Sequence, residues 1–393
     1  MTRDPLGFCK AALEDLDGRG LLRHLRTLES GPEPEVDLDG RRVLLLASNN
    51  YLGLATHPRV VAAAADALAR WGVGAGSARL ITGNTSIHDA LEAQIARFKG
   101  TEDAVLFSSG YHANVGTIPA LVGRGDAVFS DALNHASIID GIRLSRAEKF
   151  VYPHVDLGAL EDDLALWSRR CPGQRALVVT ESVFSMDGDA APLEGVIEIC
   201  RRHGAMLMVD EAHATGVIGD GGRGLVAGLG LEDGVDVLMG TLSKALGAAG
   251  GFVAGTRSLC DFLRNRARSF VFDTGMPAVV AAAALEALRV LLDEPGLADA
   301  ARSRSRALAS GLRRAGYDVP EPVGAIVPVI LGEARSALEA AGGLLERDVL
   351  VPAIRPPTVP DGTARLRATV MATHTESHIE RAVEAFSAIR TPA

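Results

Sequence analysis

Met206-Leu207-Met208-Val209-Asp210-Glu211-Ala212-His213 reads as a short strand that ends abruptly in charge. Four apolar residues without polar alternation suit a strand covered on both faces, as in a parallel sheet. An acid directly after such a strand stands where open α/β sheets place their ligands, beyond the carboxyl ends of the strands. A carboxylate there is poorly solvated and should face a cation or a protonated nitrogen. Similar apolar runs lie at 104–107, 127–130, 176–180 and 235–239, with helix-length segments between them. The pattern predicts a doubly wound α/β domain, its sheet mostly parallel and its crossovers right-handed.

Helix signals fall where this architecture needs them. Pro58 suits the first turn of an Ala-rich helix over 58–71, and Ser86 to Asp89 open a segment with Leu91, Ile95 and Phe98 at helical spacing. The alternation stops near 293–296. Beyond it the sequence predicts helices over 297–315, 333–346 and 376–389, with strands over 325–331 and 366–370. The expected organisation is an N-terminal segment (1–54) contributing to the active site, a large domain (55–295) and a smaller α+β domain (296–393).

The chain has 393 residues and a net charge of −9, with 47% hydrophobic and 23% charged residues, which excludes disorder or coiled coil as an overall description. Its acidity argues against a nucleic-acid partner, which normally needs a basic surface. The longest uncharged apolar run, 278–285, is too short to span a membrane. Acids in the first twenty residues interrupt any signal-peptide pattern, so a cytoplasmic location is expected. Cys9, Cys171, Cys200 and Cys260 form no C-x-x-C pair and read as small buried hydrophobes, not disulfides or zinc ligands; no metal site is expected.

A second strand end carries the other half of the chemistry. Val237-Leu238-Met239-Gly240-Thr241-Leu242-Ser243-Lys244 ends in a Gly/Thr/Ser turn bearing a lysine. A lysine in small apolar surroundings can have a lowered pKa and act as an amine nucleophile. Only four of the 40 basic residues are lysines: Lys10, Lys99, Lys149 and Lys244. Lys10 precedes the core, Lys99 ends a helix and Lys149 sits in a charged strand lead-in, which leaves Lys244 as the candidate. Ser108-Ser109-Gly110-Tyr111 joins a strand to a helix and offers free N–H groups to a phosphate. His135 follows another strand. Together, a phosphate cradle, a histidine, a carboxylate and a lysine at strand ends fit pyridoxal phosphate.

Three tempting patterns fail. The letters D-E-A-H suggest a helicase, but no lysine here follows a glycine to make the required phosphate loop. Gly219-Asp220-Gly221-Gly222-Arg223-Gly224 matches G-x-G-x-x-G without leaving a strand directly to open a helix, and reads as a mobile loop. No serine sits in G-x-S-x-G, which removes the usual hydrolase elbow.

The chain resembles the α-oxoamine synthases, pyridoxal-phosphate enzymes of fold-type I. The resemblance covers nearly the whole chain through SNNYLGL (48–54), ARLITGN (78–84), SSGYHAN (108–114), LNHASIIDG (133–141), TESVFSMDGD (180–189), VDEAHATGVIG (209–219) and TLSKALG (241–247). It implies Lys244 as the Schiff-base lysine and α-proton base, and Asp210 as partner of the pyridinium nitrogen. It further implies His213 and Ser185 on the ring's phenolic oxygen, His135 stacked on the ring and touching substrate, and Gly110, Tyr111 and Thr241 on the phosphate. Asn49 and Arg355 would hold the amino acid carboxylate, and Arg23 and Thr358 the acyl substrate. The implied reaction joins an amino acid to an acyl-CoA or acyl-carrier-protein thioester, in a homodimer that shares its active site. AIRPPTVPDGTARLR (353–367) points within the family to L-alanine and a pimeloyl thioester, the biotin-forming branch; glycine with acetyl-CoA is the alternative. Phe272-Asp273-Thr274 departs from the family's Ser-Thr-Ser pattern and sets an acid where a phosphate contact is expected from the partner chain, although Thr274 remains.

Overall fold

The computed structural model describes residues 5–390. Its centre is a seven-stranded sheet in the order Asp103–Phe107, Gly251–Gly255, Val237–Thr241, Met206–Asp210, Ala176–Glu181, Ala127–Asp131, Glu148–Tyr152. Gly251–Gly255 runs antiparallel to both neighbours, and the pairs from Val237–Thr241 outward to Glu148–Tyr152 are parallel. Alternation along each strand supplies two separate cores. Phe129, Val178, Leu207, Val209, Leu238 and Phe252 pack with helices Ser86–Lys99, Leu157–Arg170, Leu193–His203 and Ala278–Asp293. Val128, Leu177, Val179, Met208, Val237 and Val253 face the opposite layer, with helices Gly110–Leu121, Ala136–Ser145 and Arg257–Arg266. Burial on both faces is what the unalternated apolar runs demanded.

Register sets the functional edge. Glu181 pairs with Asp210 and Asp210 with Met239, so the carboxyl ends of the three central strands finish side by side. The strand expected over 235–239 begins later, at Val237, because Asp236 is used below it: its Oδ2 accepts from Leu207 N at 2.8 Å. The antiparallel strand Gly251–Gly255 was not anticipated. Gly251 must lie there without a side chain, since a Cβ would come within 2.7 Å of the Gly110 backbone.

A second sheet, antiparallel, orders Ile326–Gly332, Ala364–Thr369 and Ala353–Ile354, covered by helices Gly296–Arg314, Ala334–Leu345 and Glu376–Ile389. The N-terminal hairpin Glu35–Leu38/Arg41–Leu45 joins this part of the chain through Val349–Leu350, which runs parallel to Arg41–Leu45. Thr369 then donates its N–H to Leu46 O and its hydroxyl to Ser48 O. Those bonds bring residues 48–51 beside the strand that holds Arg367. Among the described residues no helix is long and apolar enough to cross a membrane. Cys200 and Cys260 are buried, which pushes both thiols up to about 12, whereas Cys171 is half-buried and Cys9 exposed.

The Gly-rich stretch 219–224 is anchored, contrary to its reading as a mobile loop. Lys99, which the sequence offers only as a helix end, is 1% exposed and donates to Glu211 Oε2 (2.8 Å), Thr215 Oγ1 (2.9 Å) and Arg223 O (2.7 Å). Glu211 Oε1 accepts from Val226 N, and a Cβ on Gly224 would sit 2.2 Å from Glu211 Oε2. Lys99→Met leaves the Glu211 carboxylate buried without its cation. We expect a loss of about 3–5 kcal/mol in chemical denaturation, largely recovered when Glu211→Leu is added to Lys99→Met.

Candidate active site

Asp210 closes its strand 5% exposed, and its two oxygens are already placed. Oδ1 accepts from Ala212 N (2.9 Å) and Oδ2 from Asn114 Nδ2 (2.9 Å). Asn114 stands one turn into helix Gly110–Leu121 and also donates to Ser137 Oγ at 2.9 Å, so the helix beside the phosphate cradle orients the acid. Glu181, on the adjacent strand, is buried and accepts from His135 N at 2.6 Å. Burial, followed by the Asp210 charge, pushes its carboxyl up to about 8.

Lys244 is half-buried in the turn after Val237–Thr241, and its Nζ makes no hydrogen bond to any described residue. Burial lowers its pKa to about 8; Asp210 and Glu181 oppose that shift and Arg367 reinforces it. At pH 7 about a tenth of such an amine is the free nucleophile, against a few parts in ten thousand for an ordinary surface lysine. The contrast with Lys99 is chemical: both leave bulk water, but Lys99 spends all three protons on fixed acceptors.

His135 caps helix Ala136–Ser145, with Nδ1 accepting from Ser137 N (3.2 Å). Poor solvation on the site side lowers its pKa, with Lys244 adding to the shift and Asp210 opposing it. His213 is buried, and burial holds it well below the usual histidine value, as do Lys244 and Arg367. Its Nδ1 lies 2.8 Å from the Tyr51 hydroxyl. The same hydroxyl lies 3.0 Å from Asn49 Oδ1, so Tyr51 ties His213 to Asn49 and leaves Nε2 as the ring nitrogen without a partner among the described residues.

Arg367 completes this group. Its NH1 donates to Asn49 Oδ1 (3.3 Å), NH2 to the Tyr51 hydroxyl (3.4 Å) and Nε to Ser185 O. Arg355 lies elsewhere: its NH1 donates to Gly20 O, and burial together with the charge of Arg23 lowers its pKa. The arginine beside Asn49 is therefore Arg367, on the same strand face as Arg365 two residues before it. The A-R-L-R alternation at 364–367 carried that signal.

At the cradle, Ser109 caps helix Gly110–Leu121 by accepting from His112 N at 3.1 Å. The first N–H groups of a helix have no acceptor within it, which leaves those of Gly110 and Tyr111 for an anion. A Cβ on Gly110 would meet Met239 and Thr241 at 3.1 and 3.4 Å. Thr241 donates to Gly250 O at 2.9 Å, while Tyr111 bonds Asp140 through its hydroxyl. Asp273 accepts from the Ser108 hydroxyl, so an acid does stand beside the cradle; Thr274 is exposed and bridges Ala78.

A cleft of about 860 Å³ opens over the strand ends. His135, Phe184 and Ser185 line one side, the 356–361 loop with Thr358 another, and Leu16, Arg19 and Leu21 a third. Arg23 is exposed, and its charge reaches Arg355.

The parts fit pyridoxal phosphate: an unpaired lysine, an oriented carboxylate beyond the same edge, and free N–H groups against a glycine that a Cβ would crowd. The chain belongs to the class I and II aminotransferase family, whose model matches residues 41–386. Among its curated relatives, the 8-amino-7-oxononanoate synthase of Anaeromyxobacter dehalogenans (strain 2CP-1 / ATCC BAA-258) is 52% identical over 99% of this chain and 97% of its own. The enzyme of the same name from Geobacter sulfurreducens is 51% identical over 99% and 98%. Among solved structures, a serine palmitoyltransferase from S. paucimobilis with a bound PLP–myriocin aldimine has a TM-score of 0.92 at 34% identity, covering 98% of both chains.

Asp210→Asn removes the largest charge that raises Lys244, so the Lys244 pKa should fall further below about 8. Pulsed acetylation of Lys244 against pH, on protein stripped of cofactor, measures this. A rise in that pKa would contradict the assignment of the Asp210 charge as the main influence opposing burial.

Proposed function

We propose that this chain condenses L-alanine with a pimeloyl thioester to give 8-amino-7-oxononanoate, CO2 and a free thiol, a step of biotin biosynthesis in the cytoplasm. The observation that carries the reading is Lys244, a lysine with a lowered pKa and no hydrogen-bond partner, set at the edge where Asp210 is oriented and a helix offers free N–H groups. Identity above 50% over the full chain to 8-amino-7-oxononanoate synthases, against 34% to the serine palmitoyltransferase, supports the choice of substrates.

Pyridoxal phosphate, when bound, supplies an electron sink for the negative charge that develops at the amino acid α-carbon. Lys244 would hold it through Nζ, Asp210 would keep its ring nitrogen protonated, and the N–H groups of Gly110 and Tyr111, with Thr241, would take its phosphate. His213 and Ser185 would meet its phenolic oxygen, and His135 would contact its ring. Asn49 would hold the alanine carboxylate, and in this reading its partner is Arg367, which bonds Asn49 Oδ1, in place of the expected Arg355. Lys244 Nζ, its pKa lowered by burial, would take the α-proton of the amino acid. The α-carbon then forms a bond to the thioester carbonyl carbon, the carbon–sulfur bond breaks, and the sulfur leaves as thiolate. Loss of CO2 follows, and Lys244 returns a proton to the α-carbon. Arg23, Arg355 and Thr358 line the approach of the acyl carrier, CoA or a carrier protein.

The second subunit of a homodimer supplies Thr274 to the phosphate. Val73, Ile81 and Phe272, near the Ala78–Thr274 bridge, are 79%, 76% and 72% exposed, a density of bare apolar side chains that suits a covered face.

Thiol release from a panel of alanine, glycine and serine against pimeloyl-, acetyl- and palmitoyl-CoA tests the substrate assignment. Alanine with pimeloyl-CoA should lead glycine by about tenfold or more, the scale on which a pocket discriminates one methyl group. A lead for glycine with acetyl-CoA, or serine with palmitoyl-CoA, would overturn it. Arg367→Leu should raise KM for alanine by about 10²-fold, whereas Arg355→Leu should act mainly on KM for the thioester. The reverse pattern would return the carboxylate to Arg355.

A further inference from the structure

His154 lies outside every motif discussed above, in the turn after edge strand Glu148–Tyr152. We propose that it is a positioning residue: bonded to a carboxylate at each ring nitrogen, it holds the turn that carries His135 and the loop that carries Ser185 at the separation that shapes the cleft wall.

Nδ1 lies 2.9 Å from Asp131 Oδ1, and Nε2 lies 2.8 Å from Asp189 Oδ2. Both carboxylates only accept, so both ring nitrogens must carry protons and the ring is a cation. Each carboxylate in turn organises a different stretch of chain. Asp131, 3% exposed, accepts from Leu133 N and Val155 N (2.8 Å each), which folds the turn leading to His135. Asp189 closes the loop 183–190: Phe184 N donates to Asp189 O at 3.0 Å, and Val183 bridges Ala190. Asp189 Oδ1 has no partner among the described residues, and the side chain, 42% exposed, has the imidazolium as its hydrogen-bond partner there. Phe184 stands edge-on to the ring at 4.4 Å and lines the cleft beside Ser185. A neutral side chain at position 154 would release two turns from each other and leave two carboxylates facing the gap.

The charged groups facing the ring are Asp131 and Asp189, and their hydrogen bonds outweigh burial and raise its pKa to about 10. Tyr152, two residues upstream, also faces Asp131, and Glu181 bonds the His135 N–H from the neighbouring strand. A group raised in the folded state stabilises fully below its unfolded value, near 6.5, and loses that contribution as pH rises through about 10.

The proposal leans on the proposed condensation only for its kinetic assay; hydrogen exchange decides it even if the substrates prove different. In the holoenzyme, His154→Gln keeps the size of the side chain and at most one donor pair. Exchange in 131–135 and 182–189 should accelerate about tenfold or more, with strand 103–107 unchanged. kcat should fall by about 10²-fold, the scale of a misplacement near 1 Å, with KM for alanine little altered. In the wild type, exchange of both segments, corrected for base catalysis, should rise between pH 6.5 and about 10. His154→Gln should abolish that rise, which separates it from titration of Glu181. If His154→Gln does not fold, Asp189→Asn should loosen 182–189 and spare 131–135. Unchanged protection with kcat within about twofold, or a wild-type profile flat to pH 10, would overturn the proposal.

Discussion

The Asp210 carboxylate and the Lys244 amine are kept from bulk water at one edge of one sheet, and neither is spent on the other. Asp210 is oriented by two neutral donors, Ala212 N and Asn114 Nδ2, and by no cation. Lys244 feels that charge without an ion pair, which leaves its amine free while burial lowers its pKa. Lys99 shows the alternative outcome in the same protein. A buried lysine given three acceptors, one of them Glu211, becomes part of the framework and is unavailable for chemistry.

The rest of the fold keeps that edge in register. Parallel pairing puts Glu181 and Asp210 side by side, and the antiparallel strand Gly251–Gly255 packs against the Gly110 turn as only glycine allows. The second sheet contributes through Arg367, which meets Asn49 and Tyr51 because the N-terminal segment bonds to its strand at Thr369. One site is thus assembled from three stretches of chain, and the Tyr51–His213 bond fixes which histidine nitrogen is left to face a ligand.

Much of this was legible because it is written locally. Unalternated apolar runs announce strands buried on two faces, and an acid or lysine straight after one announces the ligand edge. The family motifs placed Lys244, Asp210, His213 and the Gly110 turn along the same edge. What local pattern could not carry was pairing across distance. Lys99 looked like any basic residue ending a helix, because its three acceptors lie more than a hundred residues away. Arg355 and Arg367 sit in one motif twelve residues apart, and only the strand's path shows which of them reaches Asn49. His154 gave no signal, since its meaning lies in Asp131 and Asp189. The stretch 219–224 read as loose because glycine also serves tight packing, and Glu211 fills the space where a Gly224 side chain would be.

The central claim is that Lys244, alone among four lysines, carries the cofactor. Borohydride reduction of the holoenzyme fixes that link covalently, and peptide mass spectrometry then locates the pyridoxyl group. The account predicts a single modified peptide spanning Thr241 to Gly247, with the group on Lys244. A pyridoxyl group on Lys10, Lys99 or Lys149, with Lys244 unmodified, would contradict it.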